Sequence, residues 1–167
     1  MIKIEKANLA DLTEIMAIME EAVSLLPDSS WYVDDDASFV RKHIENTGFI
    51  LKAHTGKEIT GFLIIRFPAM EEDNLGRCLS FSEKDLLQTA HMESVAVRPS
   101  FRGQNIQSLL IKHGETILQN MKYHHLMATV HPNNQASLIS FLRCGFEIKD
   151  TVEKYGGLKR HILYKRI

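Results

Sequence analysis

The stretch "VAVRPSFRGQNIQSLL", Val95–Leu110, begins as a buried strand and ends as an amphipathic helix, with Arg102-Gly103-Gln104-Asn105 between them. A strand that feeds a helix through a tight turn leaves the first helical N–H groups unpaired. With the helix dipole, those groups form an anion site. Gly103 lets backbone approach a ligand closely, Asn105 tolerates positive φ, and Arg102 adds a cation beside them. The turn therefore suits a phosphate or pyrophosphate. It reads equally as a plain strand–turn–helix with an exposed arginine, since single-glycine turns are common. Other nucleotide and nucleophile loops are excluded. The chain has no GxxxxGK[ST], no GxGxxG after its first strand and no GxSxG.

Working outward, "HMESVAV" is the strand that enters the turn. The helix that leaves it spans Gln104 to Met121, with Ile106, Leu109, Leu110, His113, Ile117 and Met121 on one face. "HLMATVH" follows as a strand, and Asn134 caps a helix that runs to Cys144 and stops at Gly145. "FEIKDTVEK" and "LKRHILYK" are two strands around Tyr155-Gly156-Gly157. Towards the N-terminus, residues 2–6 alternate as a strand. Asn8 and Asp11 then open a helix with Leu12, Ile15, Met16, Met19, Val23 and Leu26 at helical spacing, ended by Pro27. A shorter helix fits Asp36 to Asn46, with Phe39, Val40, His43 and Ile44 on one face and Gly48 as its stop. "GFILKAHTGKEITGFLIIRFP" gives two strands joined at Thr55-Gly56-Lys57, the second apolar enough to be central. Residues 69–90 break the rhythm as a long insertion with one helical turn near Ser82–Gln88, a length that marks a functional or mobile segment. The order β-α-α-β-β-β-α-β-α-β-β predicts one α/β domain, residues 1–167, around a mixed sheet.

The 167 residues, 44% hydrophobic and 25% charged, fit one ordinary globular domain. A net charge of −1 argues against nucleic acid as a partner. No apolar run approaches the roughly 20 residues that cross a bilayer, and "MIKIEKANLADL" has no signal-peptide core, so no membrane association is expected. Cys78 and Cys144 form no CxxC and read as reduced thiols of a cytoplasmic protein. The histidines are scattered without ligand spacing, so no metal is expected.

"MESVAVRPSFRGQNIQSLL" is similar to the acetyl-CoA-binding segment of the GNAT acyltransferases: strand, proline-containing turn, Arg-Gly, then helix. "TVHPNNQASLISFLRCGFE" resembles that family's second signature, and "KYGGLKRHILYK" resembles the C-terminal hairpin of a bacterial subgroup. The resemblance implies a GNAT-like mixed central sheet of about six to seven strands with about four helices. Two parallel strands, here "ESVAV" and "MATVH", would splay to admit the pantetheine arm of CoA like an added strand. It also implies N-acetyl transfer from acetyl-CoA, without a metal, to an amine of a small molecule or a protein. A homodimer is compatible with it. A catalytically weak or inactive CoA-binding sensor is the alternative, and a longer acyl chain lying against residues 69–90 a third reading.

The cofactor residues carried over are Val95, Ala96 and Val97 on the strand, and Arg102, Gly103, Gln104, Asn105, Ile106, Gln107 and Ser108 at the turn, with Asn134 and Phe141 downstream. In the family's loop pattern, Arg/Gln-x-x-Gly-x-Gly/Ala, Asn105 takes the first small position and Gln107 the second. Gln107 then either donates its amide to a phosphate or faces solvent. Phe141 stands where the family often has a tyrosine that protonates the leaving thiolate; it has no hydroxyl and also reads as a core aromatic. Tyr155, Tyr123 and His131 are the other residue types able to donate that proton.

An alkylammonium of pKa about 10.4 must lose a proton before it attacks. Glu93 lies where the family often carries a catalytic glutamate. Strand alternation puts it on the face of Val95 and Val97, where burial would raise its pKa. It also reads as a structural carboxylate paired with Lys or Arg. "DDD" at 34–36 and "EED" at 71–73 read as a helix start and a solvated loop, or as an acidic mouth for a cationic substrate.

Overall fold

The computed structural model describes residues 1–167. Seven strands form one sheet: β1 (Lys3–Lys6), β2 (Gly48–His54), β3 (Ile59–Arg66), β4 (Thr89–Val97), β5 (His125–Val130), β6 (Glu147–Lys154) and β7 (Leu158–Arg166). Their order is β1-β2-β3-β4-β5-β7-β6. Every neighbouring pair is antiparallel except β4–β5, which is parallel. Five helices cover the sheet: α1 (Leu12–Ser24), α2 (Ala37–Glu45), α3 (Glu83–Leu87), α4 (Ile106–Asn120) and α5 (Gln135–Arg143).

Local chemistry starts α1, α2, α3 and α5 where the sequence predicts. Asn8 and Asp11 close a reciprocal capping box before α1. Asp36, Ser82 and Asn134 each accept a backbone N–H three residues on, at Phe39, Asp85 and Ser137. Two cores result. α4 and α5 pack Leu110, Ile111, Leu118 and Phe141 against Leu51, Leu63, Ile65 and Met92. α1 and α2 pack Ile15, Ile18, Met19 and Val40 against Ile50, Phe62, Ile64 and Ala96 on the other face. β3 is buried along its whole length, as its apolar run predicts.

Four expectations need correction. The buried face of α4 is Ile106, Leu110, Ile111, Gly114 and Leu118, while Leu109 and Met121 stay exposed. In α1, Ile18 and Ala22 are buried in place of Val23 and Leu26. In both helices the apolar stripe is wider than one periodic row, and the sheet selects the edge that packs. Gly48 is not a helix stop but the first residue of β2, where a Cβ would fall 1.9 Å from the Ile65 carbonyl oxygen. The 69–90 segment is not one long loop, because β4 already begins at Thr89. Its predicted helical turn is present as α3, and it is pinned from within. Asn74, 1% exposed, donates to the Ala69 and Leu86 carbonyls at 2.8 and 3.2 Å and accepts from the Gly76 N–H at 2.9 Å.

Candidate active site

β4 and β5 share only three paired positions, Thr89–His91 against His125–Met127. Beyond His91 the strands part, and the edge of β4 from Met92 to Val97 that faces β5 has no strand partner. A cavity of about 570 Å³ opens in the gap. It runs from the turn before α4 to the segment between α1 and α2.

At one end of it, Gly103 has φ +81° and Asn105 φ +59°. A Cβ on Gly103 would meet nothing within 4 Å, so its backbone lies open to the cavity. The first backbone hydrogen bond of α4 is Leu109 N–H to the Asn105 carbonyl at 3.0 Å, and no backbone N–H from Gly103 to Ser108 has a backbone partner. Successive free N–H groups at alternating αL positions make an anion-binding concavity. Of the turn residues, Arg102, Gly103, Asn105, Ile106 and Gln107 line the cavity, whereas Gln104 and Ser108 do not. Gln107 follows neither of its two expected readings alone: its Nε2 donates to Ser137 Oγ at 3.0 Å and ties α4 to α5. Asn134 Oδ1 caps the same Ser137 at its N–H, 3.4 Å away. Val95, Ala96, Val97, Asn134 and Phe141 all line the cavity. Phe141 is 2% exposed and packs edge-on against Phe146, ring centroids 5.1 Å apart, so it is a core aromatic with one edge at the cavity.

Glu93 lines the cavity too, but not as strand alternation predicts. Ile64 pairs with Ser94 and Ile65 with Met92, which leaves Glu93 as the extra residue of a β-bulge. Val95 and Val97 pack into the α4-side core, whereas Glu93 turns to Arg66 and His91. A bulge re-aims a side chain in this way, often beside an active site. His91 Nε2 accepts the Leu75 N–H at 3.0 Å, so the ring proton sits on Nδ1, 3.3 Å from Glu93 Oε2. The pKa expectation is also reversed. Burial alone raises the Glu93 pKa, but the His91 hydrogen bond and the Arg66 guanidinium bring it below the usual value.

Arg66 lies 3.6 Å from Glu93 and forks onto Asp73 at 2.7 and 2.8 Å, with Glu71 as a third partner. Glu71 and Asp73 of "EED" therefore serve Arg66 rather than the cavity. A separate small cavity of about 50 Å³ is lined by Asp73, Leu75 and Glu93 together, and no residue from 69 to 90 lines the large cavity.

Sequence reasoning missed the opposite wall. Tyr32 and Trp31 line the cavity, and the Tyr32 hydroxyl is hydrogen-bonded to Ser94 Oγ on β4. Burial raises the Tyr32 pKa, so the phenol stays protonated. Asp35, two residues past Val33, has no side-chain partner; burial and the charge of Glu93 push its pKa up to about 7. The available signal was the pair of large aromatics in the linker "SSWYVDDD", where a plain loop needs none. Among the expected proton donors, Tyr155 meets Thr129 Oγ1 at 3.1 Å beside the small cavity, Tyr123 stacks on Phe67, and His131 stacks on Trp31.

No group of three or more His, Cys, Asp or Glu side chains is placed to hold a metal. A sequence model of the acetyltransferase (GNAT) family matches residues 14–146. The fold is similar to that of the ribosomal-protein-S18-alanine N-acetyltransferase of Escherichia coli, with TM-score 0.75 and 16% identity over 100% of this chain and 94% of that one. It is similar to the ribosomal-protein-alanine N-acetyltransferase of Brucella melitensis, with TM-score 0.73 and 22% identity over 99% of both chains. It is also similar to an acetyltransferase of Salmonella typhimurium solved with its cofactor acetyl-CoA, with TM-score 0.73 and 17% identity over 99% and 94%. A comparison with curated proteins returns no match.

Proposed function

Because the chain belongs to the acetyltransferase (GNAT) family, we propose that its cavity takes acetyl-CoA and passes the acetyl group to an amine of a small molecule or a protein. One observation carries this reading: the partnerless edge of β4 and the unpaired N–H groups of Gly103–Ser108 open into the same cavity. The residues fit the co-substrate. The Gly103–Ser108 turn and Arg102 hold the pyrophosphate, and the open edge of β4 pairs with the pantetheine amides. When bound, acetyl-CoA supplies an activated acyl group and a thiol leaving group. The free backbone N–H groups of β4 are the donors able to steady charge on a carbonyl oxygen.

Glu93, ionised at neutral pH, holds the incoming ammonium. It accepts the proton of that ammonium, directly or through a bridging water, and its lowered pKa makes it the weaker base for the task. His91 and Arg66 fix its orientation. With no hydroxyl at Phe141, the Tyr32 phenol, hydrogen-bonded to Ser94, is the one phenol that lines the cavity. The Escherichia coli and Brucella neighbours are named for acetylating the alanine of a ribosomal protein, which supports a protein amine as one class of acceptor. No helix is long and apolar enough to cross a membrane, and the two free cysteines fit a cytoplasmic setting.

Thermal unfolding with and without CoA tests the reading. Binding to the native state alone stabilises by about 2.7 kcal/mol at a hundredfold excess over Kd. Gly103→Val, at a position of positive φ, should remove most of the CoA-dependent shift while the apo protein stays folded. An unchanged shift rejects the pyrophosphate assignment. With acetyl-CoA and an amine panel, release of CoA thiol is expected; tight CoA binding with no release from any amine would mark a binding protein instead.

A further inference from the structure

The end of the cavity away from the α4 turn is walled by groups with no part in holding a phosphate. Leu25, Leu26 and Pro27 follow α1, and Trp31, Tyr32 and Val33 precede α2. Leu25 and Val33 remain 59% and 43% exposed, apolar surface that nothing in the chain covers. Trp31 is held by stacking on His131 across the gap, ring centroids 5.7 Å apart and planes 20° from parallel. Burial lowers the His131 pKa, so this pair carries no charge at neutral pH. Two charged residues line the whole cavity, Arg102 at the α4 turn and Glu93 at the bulge. The neighbouring cations are engaged elsewhere. Arg66 is forked onto Asp73, and Arg160, 2% exposed, donates to the carbonyls of Lys159 and Ser30.

Resting on the acetyl-transfer reading, we propose that the acceptor is a monoamine with an aromatic or branched apolar body and no second charge. Its ammonium meets Glu93, and its body covers Trp31, Val33 and the leucines after α1. Burying that body against the open wall is favourable in proportion to the apolar surface it removes from water. A carboxylate beside the amine would stand next to Glu93 with no cation to receive it. A second ammonium lying over that wall would lose water against leucine, valine and indole. Asp34 and Asp35 follow Val33, and the Asp35 carboxylate has no partner of its own and feels the charge of Glu93, so a long diamine is the sharpest competitor.

The test uses the full chain, acetyl-CoA and matched amines, read as CoA-thiol release. Phenethylamine and phenylalanine differ by a carboxylate; hexylamine and 1,6-diaminohexane differ by a terminal charge. Adding either charge should lower kcat/KM by about tenfold or more. Trp31→Ala should raise the KM for phenethylamine by about tenfold, with the CoA-dependent melting shift intact. Leu25→Glu, at an exposed position, should move the preference toward the diamine. Equal or better turnover of the diamine or the amino acid by the unaltered protein overturns the inference while acetyl transfer stands. Absence of any CoA-dependent melting shift overturns the acetyl-transfer reading and the inference with it.

Discussion

At Glu93 and Asp35, two carboxylates close enough to feel each other's charge are driven in opposite directions. Glu93 is lowered because His91 and Arg66 face it; Asp35 is raised to about 7 because burial and Glu93 act on a group with no partner. For Asp35 the folded state holds the proton more tightly than the unfolded chain, whose value is 3.8. Its stability contribution is therefore full below about pH 4 and is lost as pH rises through about 7. Asp35→Asn should melt higher than the unaltered protein at about pH 8 and equally at about pH 4; a constant difference across pH would show that Asp35 ionises freely. Phe141 offers a second residue-scale prediction. Its ring edge reaches the cavity, so the hydroxyl of Phe141→Tyr has somewhere polar to point. A thiol pKa of about 8.5 limits the gain from an added acid to roughly 2 kcal/mol, or about thirtyfold in turnover. The expected outcome is a faster enzyme with an unchanged melting temperature. A loss of about 1–3 kcal/mol without faster turnover would mean that the hydroxyl is buried unsatisfied.

Among the elements, the segment between β3 and β4 departs most from its sequence reading. Its length suggests a functional or mobile segment, yet Asn74 is buried with three hydrogen bonds and Leu75 N–H is bonded to His91. The same His91 orients Glu93, so the segment acts on the site from behind. Asn74→Ala should cost about 1–3 kcal/mol, the usual consequence of leaving buried backbone groups unpaired. Faster amide exchange should be confined to residues 69–90 and Glu93's neighbours, and kcat should fall more than the affinity for CoA. Exchange that quickens evenly through the sheet would reject this coupling. A milder effect is expected at the α4–α5 contact. Gln107→Ala removes one hydrogen bond to Ser137 and should weaken CoA by roughly 1 kcal/mol in calorimetry; tighter binding would mean that Gln107 crowds the site.

For the whole molecule, the decisive feature is that β4 serves two partners. It pairs with β3 along most of its length and with β5 at only three positions. The rest of its inner edge is free, and each polar backbone group there seeks a partner. On the proposed reading CoA is a structural complement as well as a co-substrate, and the melting shift with CoA is therefore the measurement of first resort. What the sequence by itself determined is local. The caps at Asn8, Asp36, Ser82 and Asn134, the positive-φ turn at Gly103 and Asn105, and the two linked GNAT-like motifs all depend on residues within a few positions of one another. Strand and helix order follows from these, and so does the family. Tertiary structure alone decided the bulge that turns Glu93 to Arg66, which edge of the α4 stripe is buried, and the Tyr32 phenol resting on Ser94, 62 residues away. Those outcomes come from packing between distant segments, where a one-residue shift in register reverses a side chain's face while leaving the local hydrophobic pattern unchanged.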